Sequence, residues 1–244
     1  ADALGFEALF MQSWRLREKV LDIFDNTTGG RIIFSVNQIG GVLKDIDASM
    51  LKEIDMILYD METDLKPIMD TFLEDMLVNS RLRGLGVLSK EQAYLAGAVG
   101  PMARASGIDY DSRETGYAAY ADLNFGPITA TEGDCYARCK VRLAEILQSF
   151  EILHELISKI PGGDISVPVK GNPNGECFIR IEQPRGEAIY YTKGNGTKYL
   201  DRFRLRTPTT SNIPPMLDLL KGCQLGDVPL LILTIDPCIS CTER

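Results

Sequence analysis

Two cysteines near the end of the chain have a spacing that suggests metal chemistry. Cys238 and Cys241 lie three positions apart and follow Pro237. A rigid proline before this spacing can aim both sulfurs at one metal ion, and thiolates are the ligands that soft metals select. The apolar run from Val228 to Ile235 predicts a buried strand that carries this turn into the protein interior. A lone C-x-x-C is also compatible with zinc or with a redox disulfide.

The other cysteines offer weaker candidates. Cys135 and Cys139 lie four apart on one face of a helix predicted to begin near Thr131. Such a pair more often packs as small hydrophobic side chains, although together with the terminal pair it would complete a four-cysteine zinc site. Cys177, Cys223 and the only histidine, His154, are interpreted as structural. Two close cysteine pairs without an export signal favour a reducing compartment and metal or redox chemistry.

The elements that would position these residues change character along the chain. The first 160 residues read as a mainly helical body, and residues 161–244 read as a small β-rich section. This pattern predicts a mainly α protein with a β-rich C-terminal part, an α+β fold. Helices are predicted near 6–24, 51–65, 90–98, 131–160 and 213–221, and strands at 177–182, 199–206 and 228–235. Pro67 is expected to kink the second helix or to start a new helix that runs to about residue 77.

Composition narrows the class of protein. The formal charge is −8, and the acidic residues are spread along the chain. Long-range attraction to nucleic acid or to an anionic membrane is therefore not expected. Arg202, Arg204 and Arg206 form one local basic stretch, interpreted mainly as a solvated or ion-paired strand face. No apolar run approaches the roughly 20 residues of a membrane span, and no signal peptide is recognised.

Several segments resemble the large subunits of [NiFe] hydrogenases, above all the membrane-bound, energy-converting group related to respiratory complex I. The final stretch DPCISCTER, residues 236–244, resembles the C-terminal signature of that family. The resemblance implies a precursor that is cut just after Arg244. Four further segments match in the expected order, and with the terminal stretch they cover most of the chain: GPMARASG (100–107), GDCYAR (133–138), EQPRGE (182–187) and RTPTTSN (206–212).

The resemblance implies roles for six residues around a nickel–iron centre with CO and cyanide on iron. Cys238 would be a terminal nickel ligand and Cys241 would bridge nickel and iron. Arg185 would hold its guanidinium over the open side of the metals, and Asp236 would steady it. Thr209 and the Pro184-Arg185 backbone would meet the cyanide ligands. The plain alternative for Arg185 is an ion pair with Glu182 or Glu187.

The family also has an N-terminal C-x-x-C that this sequence lacks, so a separate chain or segment is expected to supply it. The resemblance further implies a small subunit with [4Fe-4S] clusters, ferredoxin as electron donor and membrane subunits that translocate ions. It places the chain on the cytoplasmic side of the cell membrane, within an enzyme that reversibly reduces protons to H₂. The alternatives are a nickel-free complex I-like subunit that handles quinone or sulfur compounds, and a structural zinc protein.

Overall fold

The computed structural model describes residues 1–243 and has the α+β fold that the sequence predicts. The expected processing site after Arg244 lies outside the described residues. No helix in residues 1–243 combines the length and the apolar character needed to cross a membrane. The helices, numbered along the chain, are α1 (Glu7–Thr28), α2 (Ala48–Glu74), α3 (Met76–Leu82), α4 (Lys90–Leu95), α5 (Pro101–Arg104), α6 (Cys135–Lys159), α7 (Pro208–Leu220), α8 (Val228–Ile235) and α9 (Ile239–Thr242).

The chain divides into two compact units. The first comprises Ala1–Glu74 and Ser149–Gly171, and the second comprises Asp75–Gln148 together with the chain from Asn172 onward. All of the candidate site residues belong to the second unit. The strands in the first unit are β1 (Asn37–Gln38) and β2 (Gly41–Val42), which form a small antiparallel pair.

The first unit is built on α1 and α2. Helix α1 ends at Gly29, whose left-handed φ of 81° suits glycine at this position. Pro67 neither ends α2 nor starts a new helix, because α2 runs through it to Glu74. The new helix starts at α3, where Asp75 Oδ1 accepts hydrogen bonds from the next turn. His154 stacks on Tyr59 at 4.1 Å between ring centroids.

The second unit has a three-stranded antiparallel sheet of β3 (Asn174–Gln183), β4 (Gly186–Asn195) and β5 (Leu200–Arg206), with β4 in the middle. The strands predicted at 177–182 and 199–206 are present within β3 and β5. Gln183 pairs with Gly186, so Pro184 and Arg185 alone form the turn between β3 and β4. A two-residue turn fixes the register of the hairpin and holds Arg185 at its tip.

The prediction of a strand at Val228–Ile235 is wrong, because these residues form helix α8. An eight-residue apolar run is compatible with either element, and periodicity alone does not separate them. Pro229 decides in favour of a helix, since its missing amide hydrogen and fixed φ suit the first helical turn. Leu231 and Ile235 are buried while Leu233 is 60% exposed, which is the one-sided burial of a helix. The terminal cysteines therefore follow a helix C-terminus.

Several helix boundaries also differ from the sequence prediction, and the starts of α6 and α7 differ most among the helix starts. Helix α7 begins at Pro208 rather than near Ile213, because Thr207 caps it and proline suits its first turn. Pro214 and Pro215 lie inside this helix, near the predicted start at Ile213, because proline is itself a signal for a first helical turn. Helix α6 begins at Cys135 rather than near Thr131.

Candidate functional site

The turn that carries Cys238 and Cys241 is held by its own backbone and by neighbouring hydroxyls. Asp236 ends α8 with φ 59° and ψ 56°, a left-handed conformation that is uncommon for a residue other than glycine. Cys238 caps the short helix α9, and its carbonyl accepts hydrogen bonds from the Thr242 amide at 3.1 Å and hydroxyl at 2.9 Å. Both cysteines are half-buried.

The chemistry of the turn favours a thiolate at Cys238. Its Sγ lies 3.3 Å from the Ser240 hydroxyl. Hydrogen bonds from Ser240 and Cys241, with a smaller contribution from the charge of Arg185, lower the pKa of Cys238 to about 7. A thiolate is the form of cysteine that binds a metal.

Arg185 reaches the same turn from the tip of the β3–β4 hairpin. Its Nε donates to the Asp236 carbonyl at 2.8 Å and lies 3.2 Å from Asp236 Oδ2, and its Nη2 lies 3.3 Å from Oδ1. The ion pairs considered with Glu182 or Glu187 are not the contacts that Arg185 makes. These contacts orient the guanidinium beside the cysteine turn. Pro184 is the neighbour of Arg185 in the hairpin turn, and the predicted contact of its backbone with the cyanide ligands stays a prediction.

Two threonines at the start of α7 hold the cysteine turn in place. The Thr209 hydroxyl accepts a hydrogen bond from the Cys238 amide at 3.1 Å, and the side chain is 2% exposed. The Thr207 hydroxyl donates to the Cys241 carbonyl at 2.7 Å. Sequence analysis selected Thr209 but missed Thr207, which lies in the same RTPT segment and also caps α7. The predicted contact of Thr209 with iron-bound cyanide stays a prediction.

A second positively charged residue besides Arg185 lies next to the cysteine turn. It is Arg142 of helix α6, which sequence analysis missed. Its Nη2 donates to the Ile235 carbonyl at 2.8 Å and its Nε to the Thr234 carbonyl at 3.4 Å. Nη1 lies 3.7 Å from Asp236 Oδ2. Burial lowers the pKa of Arg142, although the charge of Asp236 opposes that shift. Arg142 therefore satisfies the last carbonyls of α8 immediately before the cysteine turn.

A close backbone contact fixes the position of the Arg185 hairpin. A Cβ at Gly100 would lie 2.4 Å from the Gly186 Cα and 2.5 Å from the Arg185 carbonyl oxygen. Asn212 bridges the same junction: its Oδ1 accepts from the Val99 amide at 2.9 Å, and its Nδ2 lies 3.4 Å from the Arg185 carbonyl. Two glycines and an asparagine from three separate sequence motifs, Gly100, Gly186 and Asn212, thus meet behind Arg185.

Both strands leading to the hairpin turn are anchored through buried charges. Glu182 lies 3.0 Å from Arg104, and Glu187 lies 2.6 Å from Arg206 and accepts from the Tyr110 hydroxyl at 2.7 Å. Burial raises the pKa of Glu182, although the charge of Arg104 opposes that shift. The side chain of Arg104 is only 2% exposed and also contacts Asp111. This network immobilises the strand ends on either side of the turn that carries Arg185.

The other cysteine pair is engaged elsewhere. Cys135 is fully buried, and its Sγ accepts hydrogen bonds from Arg138 at 3.1 Å and from the Thr234 hydroxyl at 3.3 Å. Burial raises the pKa of Cys139 to about 11, which disfavours its thiolate. Across residues 1–243 no group of three or more His, Cys, Asp or Glu side chains converges as a metal site would require. The four-cysteine zinc site is therefore not assembled.

The donor set fits one half of a four-thiolate metal site. This chain brings two cysteines on one turn. It also brings Thr209, which accepts a hydrogen bond from the Cys238 amide, and the guanidinium of Arg185, which Asp236 orients. A four-thiolate centre needs two further sulfurs, which the described part of the chain does not place near Cys238. Positively charged groups beside the turn suit a metal group whose ligands carry negative charge.

The family follows from comparison with known proteins. Residues 3–172 and 169–244 match the family described as "Respiratory-chain NADH dehydrogenase, 49 Kd subunit". The two matched segments together span nearly the whole chain. The protein belongs to this family of complex I-related oxidoreductase subunits.

Individual relatives are named as subunits of more than one kind of oxidoreductase. The chain is 36% identical over 260 residues to the membrane-bound hydrogenase subunit alpha of Pyrococcus furiosus, covering 99% of this chain and 61% of that protein. It is 35% identical over 245 residues to an NADH-quinone oxidoreductase subunit of Phocaeicola vulgatus, covering 99% of this chain and 47% of that protein. The chain thus spans about half to two thirds of their lengths.

A solved structure supports the same relationship. The chain superposes with a TM-score of 0.94 on a chain from the membrane-bound sulfane sulfur reductase, an archaeal respiratory membrane complex. The sequences are 28% identical, and the match covers 99% of this chain and 68% of that one.

Proposed function

We propose that this chain forms half of the nickel–iron site of a membrane-associated hydrogenase that interconverts protons, electrons and H₂. The observation that carries the proposal is the terminal turn, where Cys238 has a pKa of about 7 and stands beside the oriented Arg185. Similarity to a hydrogenase subunit alpha supports it. Redox chemistry between protons and H₂ would be supplied by a nickel–iron pair, bearing CO and cyanide, held at Cys238 and Cys241.

The chain's own residues would prepare the site for that chemistry. Asp236 fixes the Arg185 guanidinium through two of its nitrogens, so its remaining N–H donors are held in one orientation. The Thr209 hydroxyl oxygen accepts a hydrogen bond from the Cys238 amide. The hydroxyl hydrogen of Thr209 can therefore donate to an anionic ligand. Fixed charge and fixed donors around a reacting centre lower the cost of charge reorganisation.

The proposal includes the partners that complete the enzyme. A chain or segment with a C-x-x-C motif would bring the other two thiolates, and a small subunit with [4Fe-4S] clusters would bring electrons from ferredoxin. Membrane subunits would couple the reaction to ion translocation, with this chain on the cytoplasmic side of the cell membrane. The P. furiosus relative, itself named as membrane-bound, supports the membrane association.

The test is spectroscopic and chemical, on the purified native complex. Infrared bands of iron-bound CO and cyanide, stoichiometric nickel and H₂ evolution from a reduced viologen are the expected results. Cys241→Ser should remove the nickel and the H₂ evolution, whereas Cys223→Ser, at another half-buried cysteine, should retain both. A complex that lacks nickel and infrared bands yet oxidises or reduces another substrate would contradict the proposal.

The second candidate is a nickel-free oxidoreductase subunit that handles quinone or sulfur compounds. It is favoured by the TM-score of 0.94 against a sulfane sulfur reductase chain and by the 35% identity to an NADH-quinone oxidoreductase subunit. In that case Cys238 and Cys241 are not expected to bind a metal, and the activity of the enzyme is not expected to depend on their thiols. Polysulfide or quinone reduction by the nickel-free complex, retained in Cys241→Ser, would establish it.

A further inference from the structure

The two faces of the β3–β5 sheet differ in chemistry. Paired residues on adjacent strands lie on the same face, so the register assigns each side chain to one side. Tyr191 pairs with Arg204 and Lys193 pairs with Arg202, which puts both arginines on one face. On the opposite face, Thr192 pairs with Phe203. From Arg202 to Arg206, strand β5 therefore alternates between cationic and apolar side chains, while the acidic Asp201 lies next to the register shift.

The carboxylates near the cationic face have other partners, and one of them, Asp201, accepts a hydrogen bond from the side-chain amide of Asn195. Glu176 lies 3.0 Å from Lys193, and Glu187 pairs with Arg206 at 2.6 Å and with Arg180 at 3.6 Å. Arg202 and Arg204 are exposed, and neither forms an ion pair with a residue of the described chain. Two adjacent unpaired cations on a protein with a formal charge of −8 mark a local site for negative charge.

The backbone of β5 offers a second set of unpaired groups. Within residues 1–243 the sheet order is β3-β4-β5, so β5 is an edge strand with β4 on one side only. Residues 200–204 are exposed, and the Phe203 side chain is 54% exposed. An edge strand presents unpaired N–H and C=O groups that can pair with an added strand.

From the edge and the alternation together, we propose that β5 binds an extended segment of a partner protein in which acidic and apolar residues alternate. Added as a fourth strand, the segment would pair with the open backbone of β5. Its carboxylates would lie on the face of Arg202 and Arg204, and its apolar side chains on the face of Phe203. The site is independent of the cysteine turn, and it stands whether or not the proposed hydrogenase activity is correct.

The alternation separates a peptide from other anionic partners. Nucleic acid and anionic lipid offer negative charge but no strand backbone with apolar groups on its opposite face. A surface built only for phosphate would not need an exposed Phe203 between the two arginines. The open strand edge is therefore the feature that selects an extended peptide.

The test uses the full chain and a blocked peptide of alternating Glu and Val, about the length of a typical strand. Fluorescence anisotropy should show binding that weakens with salt, and hydrogen exchange should show new protection of the β5 amides. Arg202→Glu with Arg204→Glu should weaken binding by about tenfold or more. Lys198→Glu, at an exposed cation in the β4–β5 connection, should leave it within about twofold.

Three results would overturn the proposal. One is the absence of binding by the alternating peptide at low salt. Another is equal binding of a peptide with the same composition but with its Glu and Val residues in two blocks, which would indicate a charge patch without strand pairing. The third is tighter, arginine-dependent binding of single-stranded DNA or phosphatidylglycerol vesicles. Circular dichroism of the variants verifies that the sheet remains folded.

Discussion

Arg185 holds the backbone and the side chain of Asp236 at once, with Nε 2.8 Å from the carbonyl oxygen and 3.2 Å from the carboxylate. The two residues lie 51 positions apart, one in a hairpin turn and the other at the end of a helix. The left-handed backbone of Asp236 turns its carbonyl towards Arg185 and directs the chain into Cys238. The arginine therefore fixes the cysteine turn and is itself oriented by that turn.

Arg185→Lys tests whether this orientation serves catalysis. Lysine keeps the charge but cannot contact the carbonyl and the carboxylate of Asp236 with a planar group. We expect H₂ evolution to fall by about 100-fold while nickel content stays unchanged, because a positioned donor is lost. Arg81→Lys, at an exposed arginine paired with Asp227, is the control and should retain full activity. Full activity in Arg185→Lys would contradict the predicted role.

Gly100→Ala tests the contact behind the Arg185 hairpin. Gly100 has φ 65°, and an added Cβ would lie 2.4 Å from the Gly186 Cα. Gly97 has a similar φ of 68°, but a Cβ there would meet nothing within 4 Å. Gly97→Ala therefore measures the cost of the backbone conformation alone, about 1 kcal/mol.

The difference between the two glycine variants reports the steric contact together with the strain of the ψ of −146° at Gly100, a conformation almost confined to glycine. We expect Gly100→Ala to lose about 2 kcal/mol more free energy of unfolding than Gly97→Ala in a denaturant titration. The loss should be accompanied by faster hydrogen exchange at the Arg185 hairpin, because the clash is with backbone atoms. Equal losses in the two variants would show that the hairpin moves away at no cost.

The sequence identified the site through its motifs but not the contacts that build it. Arg185, Asp236 and Thr209 were selected in advance, and the structure brings them to the cysteine turn. Arg142 was missed because it has no distinctive local pattern, and Thr207 was missed although a threonine directly before a proline is a helix-start signal. A helical arginine becomes informative only when a distant helix ends beside it, and sequence spacing does not encode that contact.

The wrong strand at Val228–Ile235 has a different origin. The eight residues are almost all apolar, so neither the 3.6-residue nor the two-residue period is visible. Pro229 was the available signal, since proline is common in the first turn of a helix. The strands at 177–182 and 199–206 were predictable because their residues alternate, whereas β4 between them was not predicted, since its sequence GEAIYYTKGN does not alternate.

Arg142→Met tests whether Arg142 holds the end of α8. Methionine preserves much of the length of the side chain but leaves the carbonyls of Thr234 and Ile235 without their donor. We expect a loss of about 1–3 kcal/mol in free energy of unfolding, with faster hydrogen exchange in the cysteine turn. Lys140→Met, an exposed position on the same helix, should change stability by less than about 0.5 kcal/mol. Unchanged exchange in the turn would refute the positioning role.

Asp111→Asn tests the buried charge network with a defined pH dependence. The Asp111 carboxylate is fully buried and lies 2.8 Å from Arg113 and 3.3 Å from Arg104. Burial opposes ionisation, but the hydrogen bonds from Arg113 and the charge of Arg104 prevail and lower the pKa of Asp111. Because the folded pKa lies below the unfolded value of about 3.9, the stabilisation is present above that pH and is lost as pH falls through the folded pKa.

We therefore expect Asp111→Asn to be less stable than the unmodified chain by about 1–3 kcal/mol at pH 7, since Arg113 loses its carboxylate partner while Arg104 keeps Glu145 and Glu182. The difference should begin to narrow below about pH 4, where the carboxylate of the unfolded chain becomes protonated, and should narrow further as the pH falls towards the lower folded pKa. Asp109→Asn, an exposed neighbour, should follow the unmodified chain at every pH. Denaturant titrations at pH values from about 3 to about 8 measure the free energy of unfolding of each variant. A difference that stays constant over that range would show that Asp111 stabilises the fold by its shape and hydrogen bonds rather than by its charge.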